Sequence, residues 1–190
     1  ALVHGGIAND VKVKIEWVSS ERYEAGALEH HFEGFDGLLI PGGFGDRGIE
    51  GMLMAIEWAR ENGLPFFGIC LGLQCAIIEF ARNVCGKTDA NSVEFSPSTA
   101  DPVICLMDSQ QQVTTKGGTM RLGGYAASLR EGSRVEAVYA DREIKERHRH
   151  RYEVNNEYRE LLEGNGLIMS GTSPDQGLVE VIELPDHPWF

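Results

Sequence analysis

The chain is 190 residues long, with 42% hydrophobic and 24% charged residues, which suits one soluble-type domain with a real core. Its 29 acidic residues against 17 basic ones leave a formal charge of −12 and argue against nucleic-acid binding, since a phosphate backbone needs a basic face. Apolar runs fall far short of a membrane span and no signal-peptide pattern opens the chain; four cysteines with no C-x-x-C pair and no zinc spacing point away from a metal or disulfide framework and toward a reducing, cytoplasmic setting.

In chain order, ALVHGGIAND reads as the tail of a helix, so the natural N-terminus is expected upstream. VKVKIEWV (11–18) alternates and is rich in β-branched residues, which predicts a strand. GLLIP (37–41) has the continuous apolar character of a buried parallel strand. Residues 49–60 place Ile49, Met52, Leu53 and Ile56 at helical spacing, and Gly63 and Pro65 end that helix. PFFGI (65–69) is a second buried strand, and LGLQCAIIEFARN (71–83) a mostly buried helix. Strands and helices in alternation predict an α/β fold with a parallel sheet. The second half holds short strand candidates, DPVICLM, GTMRLGGYAASL, GLIMSGTS and GLVEVIEL, interrupted by one helix at about 156–164. These suit antiparallel additions to the sheet.

PGGFGDRG (41–48) spells G-x-G-x-x-G between a strand and a helix, the setting of a dinucleotide site. That reading fails further on. The fingerprint needs an acidic residue about 20 positions later, at the end of the second strand, and that strand ends in Cys70.

Cys70 is the most specific local feature. It sits where a buried strand turns directly into a helix, flanked by Gly68 and Gly72 as G-x-C-x-G, the thiol form of a nucleophile elbow. So sharp a turn strains its central residue and crowds the positions two on either side, which glycine relieves. The helix N-terminus is expected to favour thiolate, and the Leu71 N–H to bind an oxyanion. Cys75, Cys85 and Cys105 lack this context and read as small core residues.

GLLIPGGFGDRG, GICLGLQ, ANSVEF, GGTMRLG and ERHRHRYEVNN together, collinear over nearly the whole chain, resemble the glutaminase (class I glutamine amidotransferase) domain of the CTP synthase family. The resemblance implies a three-layer, flavodoxin-like α/β sandwich with a mostly parallel central sheet and antiparallel additions. Residues 1–190 would form a single such domain, without its first strand and its C-terminal catalytic segment. It implies that Cys70 attacks the side-chain amide of glutamine, with Leu71 N–H and the Gly43 backbone as oxyanion hole. Phe44 would pack on the substrate, and Gln74 and Glu94 would hold its α-amino group. Arg151 and Tyr152 would recognise its α-carboxylate, and Gly72 and Leu73 of the elbow helix are counted with the glutamine-binding residues. The released ammonia would pass to a synthetase domain of the same polypeptide, where ATP and Mg2+ aminate UTP to CTP. GTP would activate the glutaminase step, and the family assembles into tetramers. No cofactor is expected in this domain itself.

Read singly, Gln74 could be a satisfied polar group, Glu94 a loop-end surface residue, and DREIKERHRHRY a solvated basic face. His148 and His150 read as structural or interface residues. The family's triad His and Glu are expected from an F-H-P-E-like segment one strand beyond DHPWF, where this chain ends. His187 is not expected to be the base, because Trp189 stands where its carboxylate would have to be. The stretch near 109–118 is shorter than the family's lid. Two other readings stand beside this one: another amidotransferase, of the GMP synthetase type, against which RHRHRYEVNN argues, and a non-catalytic glutamine-binding module lacking the triad.

Overall fold

Leu38, Leu39 and Ile40 carry only aliphatic side chains and form strand β1 (Leu38–Ile40) in the computed structural model, which describes residues 1–24, 32–106 and 121–188. β2 (Phe66–Gly68) lies parallel to it in the register Leu38↔Phe66, Leu39↔Phe67 and Ile40↔Gly68. A parallel pair needs a crossover, and α3 (Ile49–Asn62) supplies it. Gly63 closes that helix in the left-handed conformation with its N–H on Ala59 O, as the Gly-x-Pro stop predicts. Before these come two short helices, α1 (Leu2–Ala8) and α2 (Glu21–Glu24).

Residues 11–18 are not a strand, contrary to the expectation from their alternation. A strand needs a neighbour for its N–H and C=O groups, and no described strand lies beside this segment. Val11 N–H donates instead to Gly6 O, and Val11, Ile15 and Trp17 stand in solvent, Trp17 at 86% exposure.

α4 (Leu71–Asn83) follows β2 after the single residue pair Ile69–Cys70 and is buried along most of its length. Cys75, Ile77, Ile78, Phe80 and Ala81 pack with Ile56 and Ala59 of α3 in the main core. Two ionic contacts join the helices: Arg82 Nη1 lies 2.9 Å from Glu50 Oε2 near the surface, and Arg60 clamps Glu79 in the interior. Glu79, with no exposed surface, accepts from Arg60 Nη2 at 2.8 Å and from Asn83 Nδ2 at 3.1 Å. A fully buried carboxylate is tolerated only when so paired.

Beyond α4, β3 (Ala90–Ser92) runs parallel to β4 (Asp101–Leu106), and β7 (Tyr152–Val154) pairs antiparallel on β4's other side. Val103 and Ile104 extend the main core from β4. A four-stranded antiparallel sheet has the order β6-β5-β8-β9, from β5 (Arg121–Leu129), β6 (Glu143–His150), β8 (Ile168–Thr172) and β9 (Val179–Glu183). These are the expected antiparallel additions. The helix expected at 156–164 appears as a 3-10 turn at Asn156–Tyr158 followed by α6 (Arg159–Gly164). α5 (Arg134–Tyr139), capped by Ser133 Oγ on Glu136 N–H, was not foreseen. The 109–118 stretch, the start of GGTMRLG and Trp189 lie outside the described residues. No helix among the described residues is long and apolar enough to cross a membrane.

Candidate active site

The strand–helix corner at Cys70 has the geometry expected of an elbow. Its backbone stands at φ 54°, ψ −100°, a conformation that costs a non-glycine residue about 1–3 kcal/mol. The flanking glycines are there for space. A Cβ on Gly68 would lie 2.6 Å from the Gly72 carbonyl carbon, and one on Gly72 would lie 2.3 Å from Ile40 O. Strand β1 therefore presses directly against the start of α4, and the chain has no room for a side chain there.

Gly42 and Gly43 follow β1 and so emerge beside the elbow. The Gly43 Cα faces the Leu71 side chain, since a Cβ there would sit 2.8 Å from Leu71 Cδ2. Phe44 extends from the same loop at 62% exposure, and Gly45 N–H donates to Glu94 Oε1 at 3.3 Å. Glu94 is held in turn by its own N–H on Ser92 Oγ at the end of β3. The G-x-G-x-x-G loop is thus tied to a carboxylate at its second glycine, an arrangement hostile to a pyrophosphate.

These elements enclose a cleft lined by Gly43, Phe44, Cys70, Gln74, Glu94, His150, Arg151 and Tyr152. Gln74, one helical turn after Cys70 on α4, is buried and donates through Nε2 to Tyr152 O at 3.1 Å. Arg151 sits at the corner between β6 and β7, and its Nε is buried without a hydrogen-bond partner among the described residues. An acidic side chain and an arginine therefore share one small cleft with a thiol. Leu71, Gly72 and Leu73 are not among its lining residues: Leu71 and Gly72 are buried beneath it, and Leu73 packs against the main core.

The electrostatics differ from the sequence-based expectation at Cys70. Burial pushes its thiol above the ordinary cysteine value; the Leu71 N–H opposes this, and the carboxylates of Glu94 and Glu153 add to it. At this thiol, desolvation outweighs the Leu71 N–H at the helix N-terminus. Burial also raises the Glu94 carboxyl, against the Gly45 N–H and the Arg151 charge. Cys75, fully buried, is pushed to about 12 by burial and fits its reading as core. His187 is also remote from the cleft: it is 4% exposed with Nε2 3.0 Å from Ala59 O at the end of α3.

Sequence reasoning missed His150 as a wall of the site. The signal was available in RHRHRY, whose period-2 alternation is that of a strand. Arg147 and Arg149 point to solvent and His148 and His150 inward, so the charge run is a solvated face on one side only. Among the described residues no group of three or more His, Cys, Asp or Glu side chains could hold a metal ion.

An elbow cysteine in a cleft with an acidic and a basic side chain points to a class, and the family comparison agrees. The chain belongs to the class-I glutamine amidotransferase family, whose model matches residues 1–190. Within that class it is similar to CTP synthases. It is 55% identical over all 190 residues to the CTP synthase of Cytophaga hutchinsonii and 56% identical to that of Pelobacter propionicus. It spans 35% and 36% of those two proteins, about a third of their length. Among solved structures it is similar to the Trypanosoma brucei CTPS glutaminase domain with bound acivicin, with a TM-score of 0.91 and 38% identity. That match covers 98% of this chain and 74% of the other.

Proposed function

We propose that this chain is the glutamine-hydrolysing domain of a CTP synthase, and that Cys70 is its nucleophile. The observation that carries the reading is the strained Cys70 elbow opening into a cleft that holds Glu94 and Arg151 together. A free amino acid has an ammonium and a carboxylate on one carbon, and a carboxylate and a guanidinium are the groups that recognise them. Glu94 and Gln74 hold the α-amino group, and Arg151 and Tyr152 the α-carboxylate. The side-chain amide then lies over Sγ.

Loss of the thiol proton gives the attacking thiolate, and an S–C bond forms at the amide carbon. The oxyanion that develops is met by Leu71 N–H and the Gly43 backbone. The proton taken from the thiol is handed to the departing nitrogen as the C–N bond breaks, so ammonia leaves and a glutamyl thioester remains on Cys70. Water hydrolyses the thioester to glutamate and regenerates the thiol. A thiol whose burial disfavours the thiolate calls for a base to take its proton. His150 is not that base, because both its ring nitrogens are engaged, one with His148 and one with the Tyr152 carbonyl. His187 is occupied at Ala59 O. Neither of these two histidines is therefore assigned as the base. The ammonia goes to a synthetase domain of the same polypeptide, which uses ATP and Mg2+ to aminate UTP; no cofactor acts in this domain. GTP activation and tetramer assembly are part of the same reading, as is a cytoplasmic location.

The test is glutamine hydrolysis by the full-length protein. Cys70→Ala is expected to lower kcat by at least about a thousandfold, the scale of losing a covalent nucleophile. A glutamine-like electrophile is expected to add its mass to the peptide containing Cys70. Equal labelling of Cys70→Ala, or full glutaminase activity in that variant, would overturn the assignment. Glutamine binding without turnover by the unsubstituted full-length protein would favour the binding module instead.

A further inference from the structure

Behind the cleft lies a buried polar cluster that the proposed chemistry does not use. Arg121, at the start of β5, is 6% exposed and spans two carboxylates: Nη2 lies 2.6 Å from Glu180 Oε1 and Nη1 lies 3.3 Å from Glu153 Oε1. Its guanidinium also stacks 4.4 Å from the centre of the Tyr125 ring. Register places Arg121 opposite His150 across the β5–β6 pair. Two imidazoles complete the cluster. His148 Nδ1 and His150 Nε2 are 2.9 Å apart, His150 Nδ1 is 3.2 Å from Tyr152 O and 3.3 Å from Glu153 Oε1, and His148 Nε2 is 3.6 Å from Glu180 Oε2.

The acceptor at one end sets the protons along this chain. A carbonyl oxygen can only accept, so His150 donates to Tyr152 O from Nδ1–H. Its Nε2 then carries the lone pair and accepts from His148 Nδ1–H. His150 is thereby held in one tautomer, uncharged, and each ring fixes the other's orientation. The Tyr152 carbonyl that receives His150 also receives Gln74 Nε2 from α4. A single main-chain oxygen therefore joins the elbow helix to the β6–β7 corner.

We propose that His150 is a positioning residue of the glutamine site: it bridges the His148 ring and the Tyr152 carbonyl, and so fixes the corner from which Arg151 and Tyr152 reach the cleft. The inference rests on the glutaminase reading above and deepens it. His150 touches neither Sγ nor the reacting amide through its ring nitrogens, so its effect falls on the recognition of the amino acid. The contact that matters is the one at Nδ1, which anchors the main chain.

Asparagine and glutamine separate the two contacts of the ring, because Asn Nδ2 occupies the place of ring Nδ1 and Gln Nε2 that of ring Nε2. In the full-length protein, His150→Gln is expected to raise KM for glutamine tenfold or more with kcat within about threefold. His150→Asn is expected to stay within about threefold of the unsubstituted protein in both constants. His150→Ala should behave as the Gln variant does; should it not fold, the polar pair decides. The reverse ranking of Asn and Gln overturns the proposal, as does a loss confined to kcat or unchanged KM in both. If the unsubstituted protein hydrolyses glutamine and the variants are indifferent, only this inference falls. If it does not hydrolyse glutamine, the functional reading falls and this inference with it.

Discussion

At the scale of the residue, the site works by putting groups where they would not sit at ease. Cys70 adopts a backbone conformation rare for any side chain, and its thiol is raised by burial rather than lowered by the helix. Glu94 is held by Gly45 N–H and faces the charge of Arg151. Replacing it by glutamine keeps the shape and removes the charge proposed above to meet the substrate's ammonium. A charge-assisted hydrogen bond is worth about 1.5–3 kcal/mol, so Glu94→Gln is expected to raise KM for glutamine by about ten- to a hundredfold. Steady-state kinetics on the full-length protein check this; an unaltered KM removes Glu94 from substrate recognition. Cys70 and Glu94 are visible as residues in the sequence, but the direction of the thiol shift is not. It depends on desolvation by surroundings that lie far away along the chain.

At the scale of the element, the β2–α4 corner and the α3–α4 pair carry the fold of the site. The Gly72 Cα lies so close to Ile40 O that a Cβ would stand 2.3 Å away. Gly72→Ala must push β1 from α4, at a cost of about 1–3 kcal/mol or more. The expected result is a melting temperature several degrees lower together with loss of glutaminase activity. An alanine variant of native stability and activity would show that the corner is looser than described. The buried Glu79 makes an independent case, far from the cleft. Glu79→Ala leaves Arg60 with only the exposed Glu61, 3.6 Å away, in place of its buried partner and is expected to destabilise by about 2–4 kcal/mol. Chemical denaturation measures it, and a change under 1 kcal/mol would mean that the helices do not depend on the clamp. Much of this scale was legible. Apolar periodicity and the Gly63 stop located α3, and the unbroken apolar stretch located α4. Residues 11–18 were misread because alternation reports a half-buried face and says nothing about a pairing partner.

At the scale of the whole molecule, the buried cluster links pH to stability through two groups of opposite sense. Burial lowers His150 to about 4, with the charges of His148 and Arg121 adding to it. Burial raises Glu153 to about 7 in spite of Arg121. As pH falls below the ordinary histidine value of about 6.5, the unfolded chain takes a proton that folded His150 refuses, and stability is lost down to pH 4. Glu153 acts the other way: the folded carboxyl binds its proton near 7 and the unfolded one only near 4.5, so stability is gained as pH falls across that window. The two contributions oppose each other between pH 4.5 and 6.5. His150→Asn removes the first alone, worth up to about 3 kcal/mol. The melting temperature of the variant relative to the unsubstituted protein is expected to climb as pH falls from 6.5 to 4. A difference that does not vary with pH would mean that His150 is not held uncharged.

The sequence by itself determined the α/β character, the helices around the elbow and the elbow at Cys70 itself. These rest on local rules, namely periodicity, helix stops, and the steric need for glycine on both sides of a sharp corner. The resemblance of five collinear stretches pointed to the glutaminase domain of the CTP synthase family, and the relatives are of that kind. Only the tertiary structure decided which residues meet. Gly45 reaches Glu94, Gln74 reaches Tyr152, and His150 closes the wall, across separations of 49, 78 and 2 residues. It also decided the direction of the Cys70 shift. Desolvation and hydrogen-bond partnership are properties of the packed neighbourhood, which no local pattern encodes.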